Sequence, residues 1–292
     1  MKNLVTRILS GSIYVVLIVL AIITIQYTPV LFLVVFGLLT ALCLWETYKV
    51  TQEGDVISPL FTIIDLLGGV GVFLAFFLMY SGTGDAASGS RSFWMLPIII
   101  YLIVRTSLQL YSPMTHAVHS LERSFYGIAF VALPMGMANS ICAVGSPMML
   151  LAIFILLWVN DSGAYLVGSA IGKHKLFERV SPHKSWEGFW GGTIASIVVA
   201  AVLGHYFGQH FTLGIDGGGH SMPLAAWIGM GLIVSVFGTL GDLSESLLKR
   251  TVGVKDTSHI IPGHGGFLDR LDSFLMACPA TLVYFILLKI YF

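Results

Sequence analysis

The sequence predicts an all-α, polytopic integral membrane protein of about nine transmembrane helices, with the N-terminus cytoplasmic and the C-terminus outside. Three observations carry that expectation. Of the 292 residues, 56% are hydrophobic and only 10% are charged, where soluble domains average roughly 45–50% apolar and about 25% charged. Apolar runs close to the roughly 20 residues that cross a bilayer recur along the whole chain. Finally, Lys and Arg alternate between successive connections, as they do when one face of the protein meets the cytoplasm.

The runs fall at about 8–26, 29–45, 60–80, 93–111, 124–142, 147–170, 190–208, 223–248 and 273–291. The first has a basic flank but exceeds a signal-peptide core and lacks a small-residue cleavage site, so it reads as a retained span. Glu46 with Lys49, after the second run, and Glu122 with Arg123, before the fifth, read as interfacial anchors. Arg105 sits late in the fourth and leans toward the basic side. Of 15 Lys and Arg, all but Arg91, Arg105 and Lys289 lie at the N-terminus or in the 2–3, 4–5, 6–7 and 8–9 connections, which are therefore placed in the cytoplasm. The outer segment 209–222 reads as a flexible turn. Cys43, Cys142 and Cys278 stand singly in apolar segments, which argues against disulfides and a zinc site. Net charge is zero, and no nucleic-acid partner is expected.

Two constellations break this apolar pattern. Between Ser246 and Asp272 the chain reads SLLKRTVGVKDTSHIIPGHGGFLDRLD, dense in charge, glycine and proline. If the eighth helix continues through GDLSESLLKR, then Asp242, Glu245, Ser246 and Lys249 share one face. Asp269 and Asp272 repeat the three-residue spacing at the start of the ninth, with Arg270 pointing elsewhere. Carboxylates on two helix ends suit magnesium, which keeps waters and shares substrate phosphates. The glycines of PGHGG allow close backbone approach and offer N–H groups to an anion. Lys249, Arg250 and Lys255 add positive charge, so the segment reads as a metal–polyphosphate site.

The second constellation is NDSGAY from Asn160, followed by KHKLFERVSPHKSWEGFWGG from Lys173. An intramembrane carboxylate is costly and normally faces a cavity or a partner, which makes Asp161 a candidate. The alternative is that NDSG breaks the helix and Asp161 merely caps it. Ser181-Pro182 reads as a turn leading into a helix start, and Lys184 and Glu187, three apart, form a simple surface pair in the plainer reading. No GxSxG, HExxH or GxxxxGK[ST] pattern occurs. The chain is thus expected to be a single transmembrane domain over 1–292, with a helical part at 1–145 for scaffold, dimer or lipid contacts. The catalytic part is expected at 146–292, with cytoplasmic loops 171–189 and 249–272.

The run S-x-L-K-R-x4-K-D-x-S-x2-I-P-x-H-G-G-F-x-D-R-L-D, together with DSGAY, GKHKL and SPxKSWEGFxGG, resembles the phosphatidate cytidylyltransferase (CDP-diglyceride synthetase) family. The likeness is strong from about 150 to 292 and rests on hydropathy before that. His183 and Ser185 stand where relatives often carry Lys and Thr. The resemblance implies a nucleotidyltransferase of phospholipid biosynthesis that condenses CTP with phosphatidic acid to CDP-diacylglycerol and pyrophosphate. It implies a homodimer in the bilayer and a Mg2+ centre, with a second, monovalent cation such as K+, on carboxylates that fall on Asp242 and Asp269. Asp161 and Lys184 match further catalytic positions. Ser181, Glu187, Ser246, Lys249, Arg250, Lys255, Asp256, His264, Gly265, Gly266, Arg270 and Asp272 then fall to substrate binding. The compact length is similar to the bacterial form, hence a plasma (inner) membrane enzyme with its site facing the cytoplasm. The rival reading from another class, a cation- or proton-coupled transporter, takes Asp161 and Asp242 as lining a path to the outer face. The DGxxAR pattern of the CDP-alcohol phosphotransferases does not occur.

Overall fold

A computed structural model describes residues 2–52, 59–81, 95–111, 117–208, 212–213, 220–258, 260–261 and 265–291. Ten α-helices account for nearly all of them: α1 Lys2–Thr24, α2 Val30–Val50, α3 Pro59–Ser81, α4 Leu96–Gln109, α5 Ala117–Gly127, α6 Leu133–Val144, α7 Pro147–Ile171, α8 Trp186–Phe207, α9 Leu224–Thr251 and α10 Leu268–Tyr291. A π-helical turn at Ile128–Ala132 fuses α5 and α6 into one 28-residue rod, Ala117–Val144. Seven of these segments are long and apolar enough to cross a bilayer, and α1 and α4 contain shorter apolar stretches. The nine expected spans correspond to these segments. The chain is an all-α polytopic membrane protein.

The helices fall into two units, Met1–Ser140 with Asp256–Leu268, and Ile141–Lys255 with Asp269–Phe292. In the first unit, Phe32 stacks on Phe36 at 4.3 Å between ring centres. Within this apolar packing sits a fully buried ion pair, Arg105 Nε to Asp65 Oδ1 at 3.0 Å. Its remaining valences are filled: Asp65 accepts from Tyr101 Oη (2.9 Å) and Ser124 Oγ (2.6 Å). Arg105 donates to Gln109 Oε1 (2.8 Å) and Ser120 Oγ (2.6 Å). Such completeness is what allows charges to persist away from water. Arg105 therefore does not lean toward an aqueous face. Arg123 (3% exposed) and Glu46 (0%) are buried too, so neither is an interfacial anchor.

In the second unit, small residues let α7 and α8 approach closely, as small-xxx-small spacings do in membranes. A Cβ on Gly192 would lie 2.6 Å from the Asn160 carbonyl oxygen, so only glycine fits. Phe154 of α7 stacks on Phe274 of α10 at 4.5 Å. Tyr284 of α10 donates to the Ala226 carbonyl of α9 at 2.9 Å. The 171–189 segment is not an irregular loop. It folds into an antiparallel hairpin of β1 Lys175–Phe177 and β2 Ser181–Ser185, so Ser181-Pro182 opens a strand rather than a turn. Ser185 then caps α8, its Oγ accepting from the Gly188 N–H at 3.1 Å. A second short antiparallel pair, β3 Thr212–Leu213 and β4 His220–Ser221, lies between α8 and α9.

Candidate active site

Helix α7 runs unbroken through NDSG, so Asp161 is an intrahelical carboxylate and not a cap. Asp242 likewise lies inside α9, and both stand about ten residues, or roughly 15 Å, from the C-terminal ends of their helices. Gly241 controls what meets Asp242. Its missing side chain admits the α10 backbone, with Ser273 Cα 3.1 Å from where a Cβ would be and the Asp272 carbonyl closer still. The acid of α9 and the acid of α10 are thus brought side by side by one glycine. Asp272 is half-buried, with Asp242, Asp161 and Lys184 near enough for their charges to act on it, as Asp242, Lys184 and Arg270 act on Asp161.

Two lysines enter this acid cluster. Lys184, carried on β2, places Nζ 2.5 Å from Asp242 Oδ2, both side chains being partly exposed. It makes no pair with Glu187. That carboxylate instead accepts from the backbone N–H of Lys173 (3.1 Å) and His174 (3.2 Å) and meets His174 Nδ1 at 2.5 Å, fastening the hairpin to the start of α8. Lys249 bridges two acids, Glu245 Oε2 at 2.5 Å and Asp269 Oδ1 at 2.7 Å. The shared face expected along α9 is present: Ser246 Oγ donates to Asp242 Oδ1 at 3.2 Å. Arg250 does not extend freely, since its Nε donates to the Val180 carbonyl at 3.3 Å and braces the hairpin.

Behind Asp161 runs a polar chain through otherwise apolar helices. Ser235 Oγ donates to Asn160 Oδ1 at 2.6 Å and meets Thr193 Oγ1 at 2.7 Å. Because the Asn160 oxygen is thereby occupied as an acceptor, its amide N–H group is the end left for Asp161, at 3.5 Å. Asn160 and Ser235 were not singled out from sequence as site residues, and Glu245 was placed on the acidic face of α9 without a role of its own. An Asn beside an intramembrane Asp was the available signal for the first.

The other expected residues distribute as follows. Ser181 is half-buried in β2, and Lys255, Asp256 and Arg270 are exposed. Gly265, with φ of 82°, and Gly266 belong to the first unit, where a Cβ on Gly266 would lie 2.5 Å from Glu46 Oε2. His264 lies outside the described residues.

Among the described residues, no three or more His, Cys, Asp or Glu side chains converge as a ready-made metal cage. The donor set is nonetheless carboxylate oxygen throughout. That fits magnesium, which takes one or two carboxylates and completes its shell with water and substrate phosphates. Five acids and two lysines in one cluster can hold phosphate charge and a divalent cation together.

Sequence comparison points the same way. A profile described as the Cytidylyltransferase family matches residues 5–288. A phosphatidate cytidylyltransferase of Staphylococcus aureus (strain COL) is 33% identical over 214 residues, covering 73% of this chain and 76% of the relative. The proteins of the same name from Haemophilus influenzae and Staphylococcus epidermidis are 47% and 43% identical over 131 and 126 residues. These two matches cover 45% and 43% of this chain, and 43% and 44% of the respective relatives.

Proposed function

The chain belongs to the cytidylyltransferase family, and from that membership we infer its reaction: CTP and phosphatidate condense to CDP-diacylglycerol and pyrophosphate. The enzyme is a nucleotidyltransferase of phospholipid biosynthesis working within a membrane.

The chemistry asks little of a general base. A phosphate monoester has a second pKa near 6, so the lipid phosphate is already a dianionic nucleophile at neutral pH. One of its oxygens forms a bond to the α-phosphorus of CTP, the bond from that phosphorus to the β-phosphate oxygen breaks, and pyrophosphate carries the electron pair away. What remains is to bring two anions together and stabilise the charge on the leaving group, which is positioning and electrostatics. Lys184 and Lys249 are the cations held inside the acid cluster and are assigned to phosphate oxygens. Arg270, exposed at the start of α10, and Lys255 add long-range attraction. Glu187 and Arg250 act on the hairpin that carries Lys184, and Asn160 orients Asp161.

Asp242 with Asp269 would hold magnesium, with Asp272 and Asp161 as further carboxylates within electrostatic reach of Asp242. When bound, that ion supplies neutralisation of the triphosphate and polarisation of the attacked phosphorus. A companion monovalent cation, a homodimer, a plasma (inner) membrane setting and a cytoplasmic active site complete the reading. The concentration of Lys and Arg on one set of connections supports the orientation.

The observation that carries the proposal is the coupled set Lys184–Asp242 and Glu245–Lys249–Asp269 within one helical unit. Purified protein in micelles, given labelled CTP, phosphatidate and magnesium, should make lipid-soluble label and release pyrophosphate. Asp269→Asn should abolish that transfer. Folded wild-type protein that makes no product would reject the reaction, whereas full activity in Asp269→Asn would move the metal site.

A further inference from the structure

Glu46 is the acid that the reaction does not use and the packing does not explain. It sits near the C-terminal end of α2 with no exposed surface, in an apolar helix where a carboxylate is costly. No lysine or arginine pairs with it among the described residues. Its hydrogen-bond donors instead come from one short stretch of chain far away in sequence. Ser258 Oγ donates to Oε1 at 2.5 Å and Thr257 Oγ1 to Oε2 at 3.1 Å. The backbone N–H of Phe267 donates to Oε1 at 3.0 Å and that of Leu268 to Oε2 at 2.7 Å. The last two are donors at the N-terminus of α10, which have no partner within a helix and favour a negative charge. The loop is shaped around the same carboxylate. Gly266 has no room for a Cβ beside Glu46 and Thr257, and Gly265 takes a left-handed φ of 82° while its carbonyl accepts from the Ile261 N–H at 2.9 Å. All of these residues lie in the first unit.

We propose that Glu46 is a positioning residue for cytidylyl transfer: by clasping both ends of the 257–268 connector, it fixes where α10 begins and hence the register of Asp269, Arg270 and Asp272. Leu268, the last residue clasped, is followed directly by Asp269, so a slip of the helix start displaces the acids of α10 together. The proposal rests on the acid cluster being the active site.

The test compares Glu46→Gln, Glu46→Asp, Thr257→Val and Gly266→Ala with wild type in the labelled-CTP assay. Thermal unfolding and amide exchange at Phe267 and Leu268 are followed in parallel. Glu46→Gln turns an acceptor into an NH2 group facing N–H donors, so kcat should fall about tenfold or more, with the magnesium concentration for half-maximal rate raised severalfold. Thr257→Val, which removes one of four bonds, should show the same changes to a smaller degree and stays informative if Glu46→Gln fails to fold. Gly266→Ala should mimic Glu46→Gln, and Glu46→Asp should recover part of the loss. Lowered unfolding temperature with unchanged kcat and magnesium dependence per folded molecule, in Thr257→Val and Glu46→Asp alike, would make Glu46 purely structural and overturn the proposal. Asp269→Asn run alongside separates the cases: if it keeps full activity, the underlying site assignment has failed instead.

Discussion

Lys184 Nζ and Asp242 Oδ2 lie 2.5 Å apart, tying the hairpin before α8 to the C-terminal half of α9. Neutralising either partner changes the charge that a phosphate would meet. The hairpin is itself held at two points, by Glu187 on the backbone of Lys173 and His174 and by Arg250 on the Val180 carbonyl. A lysine on a short hairpin is thereby given the positional definition of a helix residue, which electrostatic stabilisation of a developing charge requires.

Lys249 serves Glu245, which has no exposed surface, and Asp269 at once. Removing one member of a buried ion set leaves uncompensated charge and costs about 3–5 kcal/mol. Lys249→Met should therefore lower the unfolding temperature in micelles by several degrees as well as abolish transfer. Adding Glu245→Gln should restore part of the stability and none of the activity. Differential scanning fluorimetry beside the transfer assay checks both.

The Asp65–Arg105 pair makes a parallel prediction, for stability alone, in its unit. Asp65→Asn should destabilise by about 3–5 kcal/mol, because the guanidinium keeps its burial and loses its counter-charge. Asp65→Leu combined with Arg105→Leu should be much closer to wild type in thermal unfolding than either single change.

The polar chain behind Asp161 is graded in the same way. Ser235→Ala removes a buried hydrogen bond to Asn160 and should cost about 1 kcal/mol. Gly192→Val forces α8 away from the Asn160 carbonyl and should cost more. If both variants lower the rate in proportion to lost folding alone, Asn160 has no orienting role.

The dianionic lipid phosphate sets the pH profile. Its second proton leaves near pH 6, so kcat/KM should fall as pH drops through about 6 and level off above about 7. A substrate analogue whose phosphate titrates lower should shift the acid limb down with it. An acid limb that ignores the analogue would point to an enzyme group instead.

Much of this was legible in the sequence, because hydropathy reports burial directly: every span had a counterpart, and the i, i+4 pair of Glu245 and Lys249 follows from helical periodicity. The partners of isolated charges were not legible. Lys184 has Glu187 three positions away, yet it finds Asp242, since Lys184 stands on β2 while Glu187 opens α8 and turns back to the backbone of Lys173 and His174. Glu46 beside Lys49 looks like an interfacial pair, and only the fold brings Thr257, Ser258 and Leu268 to it. Asp65 in an apolar run signals a buried partner, but nothing local identifies Arg105 as that partner.

The central claim is that the acid and lysine cluster of α7, α9, α10 and the hairpin is where cytidylyl transfer occurs. The most direct measurement is the initial rate of label transfer from CTP to phosphatidate by Asp242→Asn, at saturating magnesium, on protein shown by thermal unfolding to be folded. The account predicts a rate lower by about 100-fold or more. A rate within about twofold of wild type would contradict it, because less than roughly 0.5 kcal/mol of transition-state stabilisation would then depend on that carboxylate.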